Sequence, residues 1–105
     1  MKRFEVHFLA AAAADLDELF CYVAKESSLE TADRYLNRLE RFCLGLSTLP
    51  ARGTAVPGRV PGLRRMGFER RATILFRVGK DKIEILRILY GGRDLTPAIE
   101  EILAR

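Results

Sequence analysis

Apolar and polar residues alternate along several short segments of this chain. From Arg3 to Phe8 the alternation has the two-residue period of a half-buried strand. The same period returns between Arg71 and Val78, and a short polar turn joins that segment to the apolar run from Lys82 to Tyr90. These two segments predict a β-hairpin. A weaker strand is predicted from Leu63 to Phe68, where Gly67 indicates a bulge or a turn.

Between the first strand and the hairpin, the apolar period lengthens to that of amphipathic helices. One helix is predicted from about Ala10 to Lys25, and a second one runs to about Ser47. Ser27 and Glu30 form a capping-box pattern, so Ser27 is the predicted N-cap of the second helix. The short connection between the helices favours an antiparallel pair. The first apolar stripe consists of Leu16, Leu19, Phe20 and Val23, and the second of Ala32, Tyr35, Leu36, Leu39, Phe42, Cys43 and Leu46. Asp15, Asp17 and Glu18 are expected to face away from the first stripe or to lie near the N-terminal half of the helix, where the helix dipole tolerates acids.

The predicted order of elements is β-α-α-β-β-β, followed by a short helix that starts at Thr96 and Pro97. The expected fold class is α+β, with an antiparallel sheet covered on one face by a helical hairpin, in a single domain of residues 1–105. The last strand carries apolar residues on both faces, and such a strand is central in the sheet or is covered on both sides. Strict alternation places Ile83, Ile85, Arg87 and Leu89 on one face and Leu86, Ile88 and Tyr90 on the other.

The sequence predicts neither a membrane span nor a signal peptide. The longest apolar run, from Phe8 to Ala14, has seven residues, whereas a transmembrane helix needs about 20. Glu5 and His7 interrupt any signal-peptide core near the N-terminus. We therefore expect a cytoplasmic protein.

The residue types that usually carry catalysis or bind metal are sparse. Cys21 and Cys43 fall on the predicted helix stripes and are expected to be buried, reduced thiols. The chain has one histidine, so no metal site is expected, and no cofactor motif occurs. The serines lie at predicted helix ends, which leaves no nucleophile for Ser-His-Asp chemistry. The carboxylates lie on helix exteriors, which argues against an acid/base hydrolase.

Positive charge is concentrated in the second half of the chain. Residues 59–93 contain ten Lys and Arg against three acids, a net charge of +7, although the whole chain carries only +4. Such a field favours a polyanion or an acidic protein partner, and the alternative is a solvated basic face without a partner. Arg87 lies within an apolar strand, so we expect a carboxylate to pair with it. The candidate partner-binding arginines are Arg59, Arg64, Arg65, Arg70, Arg71, Arg77, Arg87 and Arg93.

Several segments of the sequence, in the same order, resemble the ParE/RelE superfamily of bacterial type II toxins, and its ParE branch in particular. They are ADLDELFCYVA at 14–24, TADRYLNRLERFCLGLSTLP at 31–50, PGLR at 61–64, ILFRV at 74–78 and IEILRILYGGRD at 83–94. RelE-like members are ribosome-dependent ribonucleases, whereas ParE-like members poison DNA gyrase. A cognate antitoxin with a disordered acidic C-terminal segment neutralises such toxins.

The resemblance also implies roles for particular positions. Arg93 retains the basic position that the family has after the last strand. Thr73 stands where ribonuclease members carry an arginine, and Ile99 stands where they carry a tyrosine. The resemblance therefore implies a toxin that inhibits DNA gyrase without catalysis of its own and is neutralised by a ParD-like antitoxin. One alternative is a RelE-like mRNA endoribonuclease that uses Arg64, Arg65, Arg93 and Tyr90, and another is a non-toxic member that only forms the antitoxin complex.

Overall fold

The chain folds into a sheet with helices on both faces, which a computed structural model describes over residues 3–58, 60–91 and 96–104. Within those ranges the elements are β1 (Glu5–Phe8), α1 (Ala10–Glu26), α2 (Leu29–Leu44), a 3-10 turn (Gly45–Ser47), β2 (Thr54–Ala55), β3 (Leu63–Phe68), β4 (Ala72–Val78), β5 (Lys82–Tyr90) and α3 (Thr96–Leu103). Every predicted strand and helix is present, with small shifts at the ends. The short strand β2 was not predicted, because two residues are too few to show a period.

The strands form a mixed sheet in the order β1-β5-β4-β3-β2. Strand β1 runs parallel to β5, whereas the β2–β3, β3–β4 and β4–β5 pairs are antiparallel. The α+β class with its helical hairpin is confirmed. The expectation of an antiparallel sheet is corrected at the β1–β5 pair, because alternation marks a strand without giving its direction.

The main core lies between the sheet and the pair of helices α1 and α2. Leu39 and Cys43 of α2 are fully buried there, together with Ile74, Phe76 and Ile85 of the sheet. The predicted apolar stripe of the second helix is confirmed, since its members are buried or, in the case of Phe42, packed against the core. Cys21 is exposed, so the expectation that both thiols are buried is wrong for this one.

Helix α3 covers the opposite face of the sheet, where Leu75 and Leu89 pack against Ala98. Burial of β5 on both faces is therefore confirmed, but the predicted division of its residues between the faces is wrong. Phe76 pairs with Ile85 while the preceding residue Leu75 pairs with Arg87, which makes Leu86 an extra residue in β5. A bulge of this kind reverses the alternation beyond it. The helix side of β5 thus carries Ile83, Ile85 and Ile88, and the α3 side carries Leu89.

The N-cap of α2 is Ser28 rather than the predicted Ser27. The Ser28 hydroxyl oxygen accepts a hydrogen bond from the Thr31 backbone N–H at 3.0 Å. Ser27 instead ends α1, because its backbone N–H donates to the Val23 carbonyl oxygen. Two adjacent serines divide the end of one helix and the start of the next between them, a division that the capping-box pattern cannot resolve.

Asp15 is buried, which the sequence pattern did not predict, although it does lie in the N-terminal half of α1 as expected. Strand β1 pairs only with the first part of β5, from Lys82 to Ile85, so the edge of β5 is open beyond that point. The Asp15 carboxylate fills the gap by accepting the Ile88 backbone N–H at 2.8 Å. It also accepts hydrogen bonds from Nε and from a terminal nitrogen of Arg87, at 2.7 and 3.0 Å. These contacts confirm that a carboxylate pairs with Arg87.

No helix in the described ranges is both long enough and apolar enough to cross a membrane.

Candidate functional site

The eight candidate arginines fall into three groups in the structure. Arg59 and Arg93 lie outside the described residues. Arg64, Arg77 and Arg87 have partners within the chain. The Arg64 guanidinium donates to the backbone oxygens of 51, 52 and 53 at 3.2, 2.9 and 3.1 Å, Arg77 pairs with a glutamate of β5, and Arg87 pairs with the buried aspartate of α1. These three hold the fold together, and their guanidinium groups are already engaged.

The remaining candidates, Arg65, Arg70 and Arg71, are exposed and lie in two places. Arg65 pairs in register with Leu75, and directly opposite residues share a face, so its side chain lies on the α3 side of the sheet. Arg70 and Arg71 belong to the turn that joins β3 to β4. No carboxylate in the described ranges forms an ion pair with Arg65 or Arg70.

The β3–β4 turn has an unusual backbone. Glu69 and Arg70 both have positive φ angles, 49° and 60°, in the left-handed region that residues with a Cβ enter at a cost of about 1 kcal/mol each. The turn is closed by the Arg71 N–H, which donates to the Phe68 oxygen at 3.1 Å, and by the Arg71 oxygen, which accepts from Gly91 at 2.8 Å. The first of these hydrogen bonds lies within the turn, and the second ties the turn to the end of β5.

The turn forms one wall of a groove of about 650 Å³ whose other walls are α1, α2 and the end of β5. All three tyrosines of the chain line it. The Tyr90 ring lies edge-on to those of Tyr22 and Tyr35, at centroid separations of 5.3 and 6.1 Å. We call this feature the arginine–tyrosine groove, and its tyrosines and charged residues are Tyr22, Glu26, Arg34, Tyr35, Arg38, Glu69, Arg71 and Tyr90.

Charged groups fix two sides of the groove. Arg38 donates two hydrogen bonds to Glu69, at 2.8 and 2.9 Å, and its guanidinium lies 5.5 Å from the centre of the Tyr35 ring. The hydrogen bond from Arg38 lowers the pKa of the Glu69 carboxyl. On the other side, a hydrogen bond with Tyr90 raises the pKa of the Arg71 guanidinium. Arg38 is thus neutralised by its partner, while Arg71 keeps its positive charge next to the aromatic rings.

The Tyr35 hydroxyl has no hydrogen-bond partner in the part of the chain that the structure describes, although its oxygen is buried. The residue is only 8% exposed. Burial, followed by the proximity of Tyr90 and Glu69, raises the pKa of Tyr35 from 10.0 to about 12. The phenol is therefore protonated at neutral pH and holds an unused O–H donor, which is rare for a buried polar group.

Comparison with known proteins decides the family. The family model for the ParE toxin of the type II toxin–antitoxin system parDE matches residues 6–95. The chain belongs to the ParE toxin family. A solved structure of the chromosomal ParDE toxin–antitoxin system from P. aeruginosa is 28% identical, with a TM-score of 0.72 over 85% of this chain and 97% of that one. The toxin–antitoxin complex RelBE2 from Mycobacterium tuberculosis shares the fold, at 23% identity and a TM-score of 0.67 over 89% and 97% of the two chains. The search of curated proteins found no match.

Among the described residues of this ParE-family chain, the structure does not bring together Arg64, Arg65 and Tyr90, which were considered for a ribonuclease. The Arg64 guanidinium is held by loop carbonyls, Arg65 lies on the α3 side of the sheet, and Tyr90 lies on the helix side in the arginine–tyrosine groove. Arg93, the remaining member of that set, lies outside the described residues.

Sequence reasoning identified only Arg71 and Tyr90 among the tyrosines and charged residues of the groove, and it missed Tyr22, Tyr35 and Arg38 in particular. The one available signal was Tyr35, whose polar end sits within an otherwise apolar helix stripe. Tyr22 and Arg38 lie off the stripes of two different helices, and only the packing of α1 against α2 brings them to one surface.

We predict that the ParE-family chain loses stability above about pH 9. Burial raises the pKa of the Cys43 thiol from 9.0 to about 12, and that of Tyr35 from 10.0 to about 12. The unfolded chain therefore releases these protons at lower pH than the folded chain, so the free energy of unfolding falls as the pH rises toward 12. Because one pKa unit corresponds to about 1.4 kcal/mol, the full loss is on the order of 4 kcal/mol for Cys43 and on the order of 3 kcal/mol for Tyr35. Urea unfolding at pH 8, 9.5 and 11 measures the decline.

Tyr35→Phe should remove the Tyr35 share of this decline above pH 10. An identical alkaline decline in the wild-type chain and in Tyr35→Phe would contradict the assignment.

Proposed function

We propose that this ParE-family toxin inhibits DNA gyrase and is held inactive by direct binding of a ParD-like antitoxin. The observation that carries the proposal is the match of the ParE family model over residues 6–95. The solved ParDE system from P. aeruginosa supports the antitoxin part, since its toxin-like chain has 28% sequence identity to this chain. Gyrase as the target is what the resemblance to the ParE branch implies.

The geometry of the basic residues favours this function over RNA cleavage. Scission of a phosphodiester needs a proton donor and a cationic group within reach of one reacting phosphate. Of the residues considered for that role, Arg64 is engaged by backbone carbonyls, and Arg65 and Tyr90 lie on opposite faces of the sheet. Thr73 and Ile99 stand where the resemblance places an arginine and a tyrosine in ribonuclease members.

The charge distribution supports an acidic partner. Residues 59–93 carry a net charge of +7, and Arg65, Arg70 and Arg71 from this region are exposed. A positive surface of this kind speeds association with an acidic segment and suppresses binding of basic ones. The attraction between exposed charges weakens with salt, since the Debye length is about 8 Å at physiological ionic strength. We therefore propose that antitoxin association slows as the salt concentration rises.

A gyrase assay with the purified toxin tests the proposal. We expect the toxin to inhibit supercoiling of relaxed plasmid and to increase the amount of cleaved DNA, because a gyrase poison stabilises the cleaved intermediate. Preincubation with the antitoxin should restore supercoiling. The matched control is a reaction that contains the antitoxin alone. The antitoxin is sought in the reading frame next to the toxin gene, as a short protein with an acidic tail.

Two results would contradict the gyrase proposal. One is a folded toxin that arrests growth while supercoiling continues and mRNA in a translating extract is cut in codon phase, which would indicate a ribonuclease. The other is normal growth when the folded chain is expressed without its antitoxin, which would indicate a member that only forms the complex.

A further inference from the structure

We infer that the arginine–tyrosine groove is a binding site for the carboxylate of an aspartate or glutamate side chain in a partner peptide. In this site the Tyr35 hydroxyl and the Arg71 guanidinium act as hydrogen-bond donors to the carboxylate, and the exposed Tyr22 ring contacts an apolar neighbour of the acidic residue. The site itself does not depend on the identity of the toxin's target. Only the identification of the peptide with the antitoxin rests on the proposed function.

The Tyr35 hydroxyl is a buried donor without an acceptor in the described part of the chain. A phenylalanine would fill the same place between Phe68 and Tyr90, whose rings lie 5.6 and 6.1 Å from that of Tyr35, without burying an unsatisfied polar group. A buried donor with no acceptor destabilises a folded chain. The charged and phenolic groups that act on the Tyr35 hydroxyl are Tyr90, Glu69, Arg38 and Arg71, all of which line the groove. Tyr35 itself lines the groove, so an acceptor that a ligand brings into the groove would satisfy its hydroxyl.

The cationic side of the groove is held in place before any ligand arrives. Backbone hydrogen bonds from Gly91 and to Phe68 fix the main chain of Arg71, and a hydrogen bond with Tyr90 restrains its guanidinium. The paired hydrogen bonds between Arg38 and Glu69 hold the turn against α2. The left-handed backbone at Glu69 makes this arrangement costly for the chain to keep. A donor that is already positioned loses less conformational entropy on binding.

The net charge of the groove favours a single carboxylate over a phosphate chain. The groove is lined by Arg34, Arg38 and Arg71 and by Glu26 and Glu69, which leaves one net positive charge. A single carboxylate neutralises that charge. A phosphodiester strand would bring several negative charges close to the two glutamates, and like charges at close range repel.

The aromatic wall explains why the acidic residue should belong to a peptide with an apolar neighbour. Tyr22 is 51% exposed, although it packs edge-on against Tyr90. Exposed tyrosine rings provide apolar contact area at a low entropy cost, with a hydroxyl that still reaches water. An acidic residue followed by an aliphatic one matches this pairing of a donor site with an open ring.

The tyrosines themselves allow a direct test, because all three line the groove and the chain contains no tryptophan. With ring-labelled tyrosine, NMR of the full chain monitors this site alone. The probe is N-acetyl-glutamyl-leucine amide, and its matched control is the glutaminyl analogue. We expect saturable shifts of the Tyr35 and Tyr90 ring signals with the glutamyl probe and binding about tenfold weaker with the glutaminyl one, since hydrogen bonds to a charged group are the stronger ones.

Two variants in the groove and one control variant complete the test. Tyr35→Phe should fold with equal or greater stability and bind the glutamyl probe about tenfold more weakly. Arg71→Gln should also weaken binding, whereas Arg70→Gln, which removes the adjacent exposed arginine of the same turn, should change it by less than about twofold. Equal binding of the two probes, or unchanged binding by Tyr35→Phe, would overturn the inference. Shifts produced by a single-stranded oligonucleotide but not by the glutamyl probe would overturn it too. A negative gyrase assay has no bearing on these measurements.

Discussion

Asp15→Ala should lower the free energy of unfolding by about 3 kcal/mol, a large fraction of the stability of a small domain. The variant removes the acceptor of the Ile88 backbone N–H and leaves the Arg87 guanidinium without its paired carboxylate. Both lost contacts lie in a largely buried place, because the Asp15 and Arg87 side chains are only 9% and 24% exposed. Urea unfolding at pH 7 and 25 °C measures the loss.

Two comparisons separate this effect from a general effect of charge on α1. Asp17→Ala removes an exposed carboxylate from the same helix and should change stability by less than about 0.5 kcal/mol. Asp15→Asn keeps an acceptor oxygen for Ile88 and should cost less than Asp15→Ala. Equal costs for Asp15→Ala and Asp17→Ala would show that the buried network contributes little.

Gly62→Ala should destabilise the chain by about 3 kcal/mol or more, because the added methyl group has no room. A Cβ at Gly62 would lie 2.2 Å from the Val78 carbonyl oxygen, an atom of the backbone that cannot move aside. The Gly62 oxygen also accepts the Val78 N–H at 2.9 Å, so the loop before β3 is tied to the end of β4. Urea unfolding gives the cost, and amide exchange at Val78 shows whether that tie opens.

Gly91→Ala is the matched control for this prediction. Gly91 has the same φ as Gly62, +78°, but a Cβ there would meet nothing within 4 Å in the described part of the chain. Its cost should therefore be limited to the left-handed backbone, about 1 kcal/mol. Similar losses in the two variants would mean that backbone strain, rather than the close approach of Val78, decides the cost at Gly62.

The arginine–tyrosine groove and Arg65 lie on opposite faces of the sheet, and they lead to separate experiments. The groove consists of side chains from both helices of the hairpin, the β3–β4 turn and the end of β5. Arg65 lies on the face that α3 covers. A gyrase assay with Arg65→Gln and with Arg71→Gln, each compared with Arg70→Gln, would show which of the two surfaces acts on the target.

Local periodicity was sufficient to predict the helices of this protein and every strand except β2. The three- and four-residue spacing of α2 identified the side that is buried, because a helix that packs on a sheet needs one continuous apolar stripe. Alternation identified β3, β4 and β5, and the two-sided apolar character of β5 predicted that it is covered on both faces. The carboxylate partner of Arg87 followed from the cost of burying an unpaired charge.

Features that depend on contacts between distant segments were decided only by the tertiary structure. The bulge at Leu86 depends on the register between β4 and β5, and one extra residue reverses every face assignment beyond it. Asp15 is buried because β1 is shorter than β5 and leaves an N–H that needs an acceptor. The groove brings together Tyr22, Tyr35 and Tyr90, which lie far apart in the sequence. The sequence by itself determined which elements form and that the chain is a basic, ParE-like protein. Packing decided which arginines have partners within the chain and which remain exposed. A side chain's partners are set by the segments that fold against it.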